Sequence, residues 1–425
     1  MIDPQLLRDH PETVRAAMRD KRMGDPSRVD EAVEADRARR ATLTSLQTLQ
    51  EQLNEVSRQI GPLMKAGKRD EAAPLLEQSN RLKAEAKALE TAAKAQEAAF
   101  RDAMLAIPNP PHPSVPVGGV EANETVATWG EPAAFGFEAR PHWELAERHG
   151  LIDFERGAKV AGAGFPFYVG RGARLQRALI ALFLDRAAAA GYTEVQPPLV
   201  FNEASGIGTG QLPDKEGQMY EIPADGLFLV PTSEVALVNL HRDEILDADA
   251  LPIRYTAYTP CFRREAGSYG KDVRGLNRLH QFDKVEVVEF CHPDDSYDRL
   301  DAMRAVAEGA VEALGLHYRT VVLATGDMGM TQTKTFDLEV WSPGQERWLE
   351  VSSISNIEAY QARRAGLRVR PEGGGKPVPV HTLNASALAL PRVVAALLET
   401  GQQADGSVRL PDALAAYAGF DVISA

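Results

Sequence analysis

A regular spacing of apolar residues near the beginning of the chain is the feature that most restricts its fold. Six apolar residues follow one another at alternating intervals of three and four, namely Leu46, Leu49, Leu53, Val56, Ile60 and Leu63. This spacing is typical of a helix that packs lengthwise along a partner helix. Three leucines seven residues apart follow, at Leu75, Leu82 and Leu89. We therefore predict two antiparallel helices that form a coiled-coil arm.

Glycine and proline residues between the two series indicate where the chain reverses. Gly61, Pro62 and Gly67 lie there, and both residue types favour turns. The first helix would then cover residues 27–60, which is about 34 residues and roughly 50 Å at a rise of about 1.5 Å per residue. From the spacing alone, a dimerisation hairpin or a plain spacer is as good an interpretation as a binding arm.

The distribution of charge separates this arm from the rest of the chain. The 425 residues carry 47 Lys and Arg against 60 Asp and Glu, a net charge of −13. That balance argues against a general nucleic-acid coat or a binder of anionic membranes, because both depend on positive charge. The first 100 residues nevertheless hold 17 bases and 17 acids, so the net charge lies in the remainder. Charged runs are usually solvated faces, and the basic clusters on the arm alone do not establish a partner.

Cysteine content and hydropathy limit the compartment and the metal chemistry. Cys261 and Cys291 are too few for a disulfide framework, and the nine histidines show no zinc-ligand spacing, so no zinc is expected. No apolar run is long enough for a membrane span, and residues 1–20 lack the apolar core of a signal peptide. We expect a cytoplasmic protein with no membrane association.

A proline-rich segment marks the boundary between two parts of the chain. Residues 107–119 contain five prolines, a density that excludes a helix and favours a stiff, extended connector. We assign residues 1–106 to the helical arm and residues 120–425 to a second domain. Gly-rich and Pro-rich turns alternate there with β-branched runs and helical stretches, which indicates an α+β fold on a mainly antiparallel sheet.

Two predicted strands around Arg263 and Glu286 carry residues suited to a nucleotide. Alternation along the first strand predicts that Arg263 and Glu265 lie on the same face, which sets a guanidinium for phosphate beside a carboxylate that can orient an amino group. On the return strand, Phe282, Lys284 and Glu286 share one face. A surface ladder of ion pairs is an equally good interpretation of this hairpin alone.

Two later clusters add groups that a triphosphate requires. Glu350 could bind Mg²⁺, which prefers one or two carboxylates together with phosphate oxygens. Pro391 suits the first position of a helix, which would hold Arg392 rigidly at the helix start. Together these groups supply what nucleotidyl transfer needs, a phosphate clamp, an aromatic platform for a base and a metal carboxylate.

These residues resemble those of a known family, the bacterial-type seryl-tRNA synthetases of class II. The motifs that carry the resemblance occur in order along nearly the whole chain: Gly-Thr-Gly-Gln-Leu-Pro at 208–213, Thr-Ser-Glu at 232–234, Cys-Phe-Arg-x-Glu-Ala-Gly-Ser at 261–268, Arg-x-His-Gln-Phe-Asp-Lys-Val-Glu at 278–286, Glu-Val-Ser-Ser at 350–353, Gln-Ala-Arg-Arg at 361–364 and His-Thr-Leu-Asn at 381–384. The final motif departs from the family pattern, which has Asn-Gly-Ser-Gly and a glycine before the arginine, because this chain has Ala385, Ala387 and Pro391 at the three glycine positions.

The resemblance implies a two-step ligation. Serine attacks the α-phosphate of ATP to give seryl-adenylate and pyrophosphate, and the terminal ribose hydroxyl of serine tRNA then takes the seryl group. Selenocysteine tRNA is a second candidate substrate, and the family implies a homodimer whose face includes the helix and strand before Pro197. The arm would then bind tRNA through basic residues, namely Arg37, Arg40, Lys65, Lys68, Arg69, Arg81 and Lys83.

The resemblance also implies a role for each matching residue. The catalytic residues are Arg263, Glu350 and Arg392, and Mg²⁺ would be held with ATP by Glu350 and Ser353. The implied ATP-binding residues are Arg263, Arg264, Glu265, Arg278, Phe282, Glu350, Val351, Ser352, Ser353 and Arg392. The implied serine-binding residues are Thr232, Ser233, Glu234, Arg263, Glu286, Asn384 and Ser386.

Two alternatives remain beside an active seryl-tRNA synthetase. A ligase that loads an amino acid onto a carrier protein would share the fold, but such relatives lack the arm. An inactive relative that serves as an RNA-binding protein would lose Arg263, Glu286, Glu350 or Arg392, and all four are present.

Overall fold

The chain folds into two compact units, which are described separately here. They comprise Met1–Pro108 and Asn109–Ala425. The computed structural model describes residues 1–214, 216–266 and 274–424. The motif positions Gly267 and Ser268 lie outside the described residues.

Helices make up the first unit, and the second mixes helices with strands. The helices are α1 Pro4–Asp9, α2 Pro11–Asp20, α3 Arg28–Lys65, α4 Arg69–Leu105, α5 His142–Arg148, α6 Phe154–Ala161, α7 Arg171–Ala189, α8 Glu203–Thr209, α9 Glu234–Asn239, α10 Ser296–Ala313, α11 Tyr360–Ala365, α12 Leu390–Thr400 and α13 Asp412–Ala418. Across the described residues, no helix is both long enough and apolar enough to cross a bilayer.

The strands are short at the periphery and long in the centre of the second unit. They are β1 Glu124–Trp129, β2 Ile152–Asp153, β3 Phe167–Tyr168, β4 Thr193–Glu194, β5 Val200–Asn202, β6 Glu221–Ile222, β7 Leu227–Leu229, β8 Ile245–Asp247, β9 Ile253–Phe262, β10 Gln281–Cys291, β11 Tyr318–Val322, β12 Lys334–Ser342, β13 Arg347–Glu358, β14 Arg368–Arg370, β15 Val378–Pro379, β16 His381–Ala389, β17 Val408–Arg409 and β18 Val422–Ile423.

The predicted helical hairpin is confirmed. Helices α3 and α4 have 38 and 37 residues. The predicted apolar positions lie along the contact between them, with Val56 of α3 and Leu82 and Ala86 of α4 buried. An amphipathic helix in a protein gains most of its stability by packing its apolar face against a partner. The two apolar seams therefore explain why both helices form over this length.

The turn was predicted correctly at Gly67 but wrongly at Gly61 and Pro62. Helix α3 continues through Gly61 and Pro62 and ends at Lys65, so the reversal occurs around Gly67, whose φ is +73°. Proline removes one backbone donor and crowds the preceding turn. Here the apolar series continues to Leu63, and this packing keeps the chain helical past the proline.

The basic side chains predicted to contact tRNA are all exposed, although some have acidic neighbours. Arg40 donates through Nε to the buried Asp36 at 2.9 Å while its side chain remains about half exposed. Arg39 differs from these residues because it joins the two helices. It donates to Glu97 of α4 at 3.1 Å, and its guanidinium lies 4.6 Å from the centre of the Phe100 ring.

Residues 109–119 of the proline-rich segment belong to the second unit and are bound to it. The backbone N–H of Asn109 donates to the carbonyl of Met330, and that of His112 to the carbonyl of Thr333, both at 2.9 Å. Val115 is buried in a small apolar cluster. The backbone therefore runs extended while its few available N–H groups are satisfied.

An eight-stranded sheet forms the frame of the second unit. Its strand order is β1-β11-β12-β13-β16-β10-β9-β4, and the pairing of β4 with β9 is parallel whereas the other six pairings are antiparallel. Leu179 of α7, Met303 of α10 and Leu397 of α12 belong to the large apolar core that these helices form with the sheet. The α+β fold on a mainly antiparallel sheet is thus confirmed.

A buried acid ties this sheet to a helix. Glu289 of β10 is fully buried and accepts two hydrogen bonds from Arg299 of α10, from Nε at 2.7 Å and from Nη2 at 2.9 Å. The hydroxyl of Tyr192 also donates to this carboxylate. The charge is therefore paired and its oxygens are satisfied, as burial of a carboxylate requires.

We predict that Glu289→Ala lowers the free energy of unfolding by about 3 kcal/mol, because the change leaves Arg299 and Tyr192 without their acceptor. Glu289→Gln is the matched control, since it keeps the shape and one acceptor oxygen and should lower stability less. Urea unfolding followed by circular dichroism measures both variants. A loss below about 0.5 kcal/mol for Glu289→Ala would show that the pair does not hold this helix on the sheet.

Candidate active site

A cavity of about 630 Å³ in the second unit collects most of the residues singled out from the sequence. It lies against β10, β13 and β16, the residues that follow β9, and the beginnings of α9 and α12. The predicted residues that line it are Thr232, Glu234, Arg263, Glu265, Arg278, Phe282, Glu286, Glu350, Val351, Ser353, Asn384, Ser386 and Arg392.

One end of the cavity is built around Glu286 on β10. Glu286 lies opposite Ser386 of β16 in the register, and its carboxylate is within 3.5 Å of the Ser386 hydroxyl and 3.4 Å of the Asn384 amide, both of which can donate to it. Lys284, two residues earlier on the same face, forms an ion pair with Glu286 and donates to the Thr232 hydroxyl at 2.8 Å. The result is a small polar pocket with a fixed carboxylate and several hydroxyl and amide groups.

A second buried acid, Glu234, stands at the first position of α9. Its carboxylate accepts from Gln361 Nε2 at 2.7 Å, while the Gln361 oxygen accepts from the Thr382 hydroxyl at 2.8 Å. That second bond fixes the amide so that its N–H₂ group faces Glu234. Burial, followed by the charge of Glu286, raises the pKa of Glu234 to about 7, and the Gln361 bond opposes this rise.

The other end of the cavity contains Arg263 and Phe282. The Arg263 guanidinium lies 5.2 Å from the centre of the Phe282 ring. The prediction that Arg263 and Glu265 share a strand face was wrong, because β9 ends at Phe262 and Glu265 has a φ of +50°. That turn directs Glu265 toward Arg278 instead, whose Nη1 donates to it at 3.1 Å.

Arg392 closes this end from the other side. Helix α12 begins at Leu390 with Pro391 in its first turn, as predicted. The Arg392 Nη1 donates to the backbone carbonyl of Glu350 at 2.8 Å and lies 3.5 Å from its carboxylate. Both groups remain partly exposed to the cavity, so they are accessible to a ligand.

The donor set around Glu350 suits a cation that arrives with a phosphate ligand. Glu350 and Ser353 both line the cavity, and Asp337 of β12 lies opposite Ser353 in the register. Burial and the neighbouring charge of Glu350 raise the pKa of Asp337 well above its usual value. In the part of the chain that the structure describes, no three His, Cys, Asp or Glu side chains cluster as metal ligands.

The departures in the final motif fit the backbone. Ala385 lies in the middle of β16 and is paired with Val287 on one side and Ile354 on the other. Ala387 lies on the same strand and is also buried. An extended strand has negative φ, a conformation in which alanine is not strained relative to glycine.

Three of the predicted residues do not line the cavity. The Ser233 hydroxyl is buried against that of Thr259 at 2.7 Å. The Ser352 hydroxyl donates to the carbonyl of Ser386 and so joins two strands of the sheet. Arg264 is exposed at the end of β9. Each adjoins a lining residue in sequence, but its side chain points elsewhere.

Lys284 lines the cavity and Gln361 lies behind Glu234, but neither was assigned a role from the sequence. Lys284 could have been included, because the period of two along β10 places it between Phe282 and Glu286. Gln361 belongs to a recognised motif, but its contact with Glu234 spans 127 residues and depends on how α11 packs. No local signal in the sequence indicates that contact.

Comparison with known proteins agrees with this geometry. The model of the seryl-tRNA synthetase N-terminal domain matches residues 1–111, and that of the class II core domain shared by the glycine, histidine, proline, serine and threonine enzymes matches residues 220–401.

Relatives match over the full length of the chain. A serine–tRNA ligase of Salinibacter ruber is 57% identical over 100% of both chains, and one of Roseiflexus castenholzii is 49% identical over 99% of this chain and 98% of its own. The crystal structure of a Pyrococcus horikoshii seryl-tRNA synthetase complexed with ATP has a TM-score of 0.92 and 34% identity, covering 100% of this chain and 99% of that one. The chain belongs to the seryl-tRNA synthetase family.

Proposed function

We propose that this chain attaches L-serine to serine tRNA through a seryl-adenylate formed from ATP. Selenocysteine tRNA is a second candidate substrate of the same step. The observation that carries the proposal is the single cavity in which Glu286, Asn384 and Ser386 adjoin Arg263 and Phe282. Such a cavity places a polar amino-acid pocket next to groups suited to an aromatic base and its phosphates.

The Phe282 end of the cavity would bind ATP. Phe282 would stack on one face of adenine and Arg392 on the other face, and Glu265 would bind the adenine amino group. Arg263 would hold the α-phosphate, and Arg278 the pyrophosphate end. Arginine suits these positions because its planar guanidinium makes two parallel bonds to a phosphate and stacks on aromatic rings.

Glu350 and Ser353 would hold Mg²⁺ together with the triphosphate. Their oxygens match the preference of Mg²⁺ for one or two carboxylates with phosphate and water as the remaining ligands. When bound, the ion would neutralise charge that develops on the leaving pyrophosphate. The proposal includes no zinc.

The Glu286 end would bind serine. The carboxylates of Glu286 and Glu234 would attract the ammonium group of serine. Asn384, Ser386 and Thr232 would supply hydrogen-bond partners for its hydroxyl group and its other polar groups. The attacking group is already a carboxylate, so no side chain has to remove a proton. The residues therefore act by positioning the reactants and stabilising charge.

Glycine and alanine would be rejected because they leave polar groups of this pocket unpaired. Each unpaired buried group costs about 1–3 kcal/mol. Threonine keeps the hydroxyl, so only the space around it can exclude the additional methyl group.

The first unit would act as the tRNA-binding arm. We assign residues 1–106 to this arm, residues 107–119 to the connector and residues 120–425 to the catalytic domain. The exposed Lys and Arg side chains of the arm suit contact with phosphates, whereas the net negative charge of the rest of the chain opposes general RNA binding. The presence of the arm also argues against the carrier-protein alternative, and the retained Arg263 and Arg392 argue against an inactive relative.

We further propose a cytoplasmic homodimer. The edge strand β4 is followed by a groove of about 370 Å³ lined by apolar residues, among them Val195, Pro197 and Phe201. Leu199 and Leu240 are large exposed apolar side chains in the same region. A second copy of the chain packed here would remove this apolar surface from water.

We predict that Glu286→Ala abolishes serine-dependent pyrophosphate exchange while ATP binding, measured by calorimetric titration, stays within about twofold of wild type. The charge on Glu286 is lost from the serine end only, so ATP keeps its contacts. Glu286→Gln is the matched control, since it retains the shape and should retain part of the activity. Exchange at the wild-type rate in Glu286→Ala would contradict the assignment of the serine end.

We predict that the KM for serine rises close to tenfold when the pH falls from 8 to 6. The ionised Glu234 attracts the ammonium group, and with a pKa of about 7 it is mostly neutral at pH 6. Glu234→Gln should have a higher KM at pH 8 and a flatter profile, while the KM for ATP changes little in both proteins. If the KM for serine depended on pH as steeply in Glu234→Gln as in the wild type, the titrating group would be a residue other than Glu234.

We predict that replacing Lys65, Lys68 and Arg69 together with alanine raises the KM for serine tRNA roughly tenfold and makes its salt dependence shallower. Pyrophosphate exchange should stay at the wild-type rate because adenylate formation does not involve the arm. The matched control at the same tip is Asp70→Asn with Glu71→Gln, which should not weaken tRNA binding. Unchanged charging by the triple variant would contradict a role for the tip.

A further inference from the structure

A buried hydrogen-bonded pair outside the cavity connects two distant parts of the second unit. His142 is the first residue of α5, and Glu399 lies in the last turn of α12. Both side chains are fully buried. The imidazole Nδ1 lies 2.8 Å from Glu399 Oε1, and the backbone N–H of His142 donates to the same oxygen at 2.9 Å.

The surroundings of Glu399 fix which nitrogen of His142 carries the proton. Its carboxylate also accepts from the Ser342 hydroxyl, from the Gly344 N–H at 3.0 Å and from Gln345 Nε2 at 3.0 Å. A carboxylate that accepts a hydrogen bond from each of these neighbours is in its ionised form, which can only accept hydrogen bonds. Nδ1 of His142 therefore donates to it.

The other ring nitrogen contacts a segment that returns to the cavity. The backbone N–H of Leu276 donates to His142 Nε2 at 2.9 Å, across 134 residues of sequence. Because Nε2 accepts this bond, the imidazole is neutral with its proton on Nδ1. Glu399 thus orients the ring, and the ring holds the Leu276 backbone.

Three more contacts hold the same short segment. Gly275 has a φ of +69°, and a Cβ at this position would lie only 2.2 Å from His142 Nε2, so the chain passes closely over the ring. The Arg274 guanidinium lies 4.7 Å from the centre of the Trp143 ring. The Asn277 amide donates to the Gln345 oxygen at 2.8 Å. Residues 274–277 are thus docked on α5 and on the turn between β12 and β13.

This segment ends at the proposed ATP site. Leu276, Asn277 and Arg278 line the cavity. The Asn277 carbonyl accepts from Arg392 Nε at 3.1 Å, and Arg392 donates through Nη1 to Glu350. The position of the Asn277 carbonyl therefore helps to set the direction of the Arg392 guanidinium.

We propose that the His142–Glu399 pair is a positioning device that sets the Arg392 and Arg278 guanidinium groups for ATP. Among the described residues that line the cavity, His142 contacts the backbone N–H of Leu276, so it acts through other residues rather than on the substrate. The inference rests on the proposed function, because it assigns ATP to the Arg392 end. A substitution that breaks the pair should therefore raise the KM for ATP and leave the KM for serine, which depends on the end around Glu286, little changed.

The experiment compares two substitutions of His142 in serine-dependent pyrophosphate exchange. His142→Asn keeps an amide near the Nδ1 position but has no group near Nε2, so Leu276 loses its acceptor. His142→Gln reaches farther and places an amide oxygen near Nε2. We expect a roughly tenfold rise in the KM for ATP with His142→Asn, a KM for serine within about twofold of wild type, and recovery to within about threefold with His142→Gln.

Glu289→Gln is the matched control for general loss of stability, because Glu289 is also fully buried but pairs with Arg299 and Tyr192 away from this segment. Its KM for ATP should stay at the wild-type value. An unchanged KM for ATP in His142→Asn, or an equal rise in the KM for serine, would overturn the positioning role. A wild-type protein without serine-dependent exchange would instead contradict the proposed function itself.

Discussion

The pairing register of β10 with β16 is the constraint on which the candidate site depends. It sets Glu286 opposite Ser386, while the neighbouring pair Val287 and Ala385 points into the apolar core. Because side chains alternate along a strand, a slip of one residue would turn the core residues toward the cavity and bury the polar ones. The same antiparallel frame carries Glu350 and Ser353 on β13. The apolar core under the sheet therefore specifies the geometry of the polar groups above it.

Buried acids and cations lie close together at the proposed serine end of the cavity. Glu286 and Glu234 are both buried, and Lys284 and Arg263 are the neighbouring cations. Two acids near each other in a poorly hydrated site raise the cost of ionising the second one. Under the proposed assignment, an incoming ammonium group would add the positive charge that favours ionisation of both, so binding of serine and ionisation of Glu234 would be linked.

The sequence predicted those features that depend on local periodicity. The seam from Leu46 to Leu63 specified the arm, the alternation along β10 placed Phe282 and Glu286 on one face, and Pro391 marked the start of α12. Gly61 and Pro62 were misinterpreted because their turn propensity is weaker than the packing of the helix that contains them. The family resemblance, rather than spacing, supplied most individual site residues.

Features that depend on contacts between distant segments could not be predicted. Glu265 turns away from Arg263 only because the backbone reaches positive φ after β9. Gln361 reaches Glu234 and His142 reaches Leu276 across more than a hundred residues, and neither contact leaves a local pattern. The net charge of the whole chain was similarly uninformative, because it combines a neutral arm with an acidic remainder.

The measurement that tests the central claim most directly is ATP–pyrophosphate exchange by the intact chain with serine, threonine, alanine and glycine supplied separately. The account predicts strong exchange with serine and at least tenfold weaker exchange, about 1.4 kcal/mol, with each of the others. Comparable exchange with alanine or glycine, or none with serine, would contradict it.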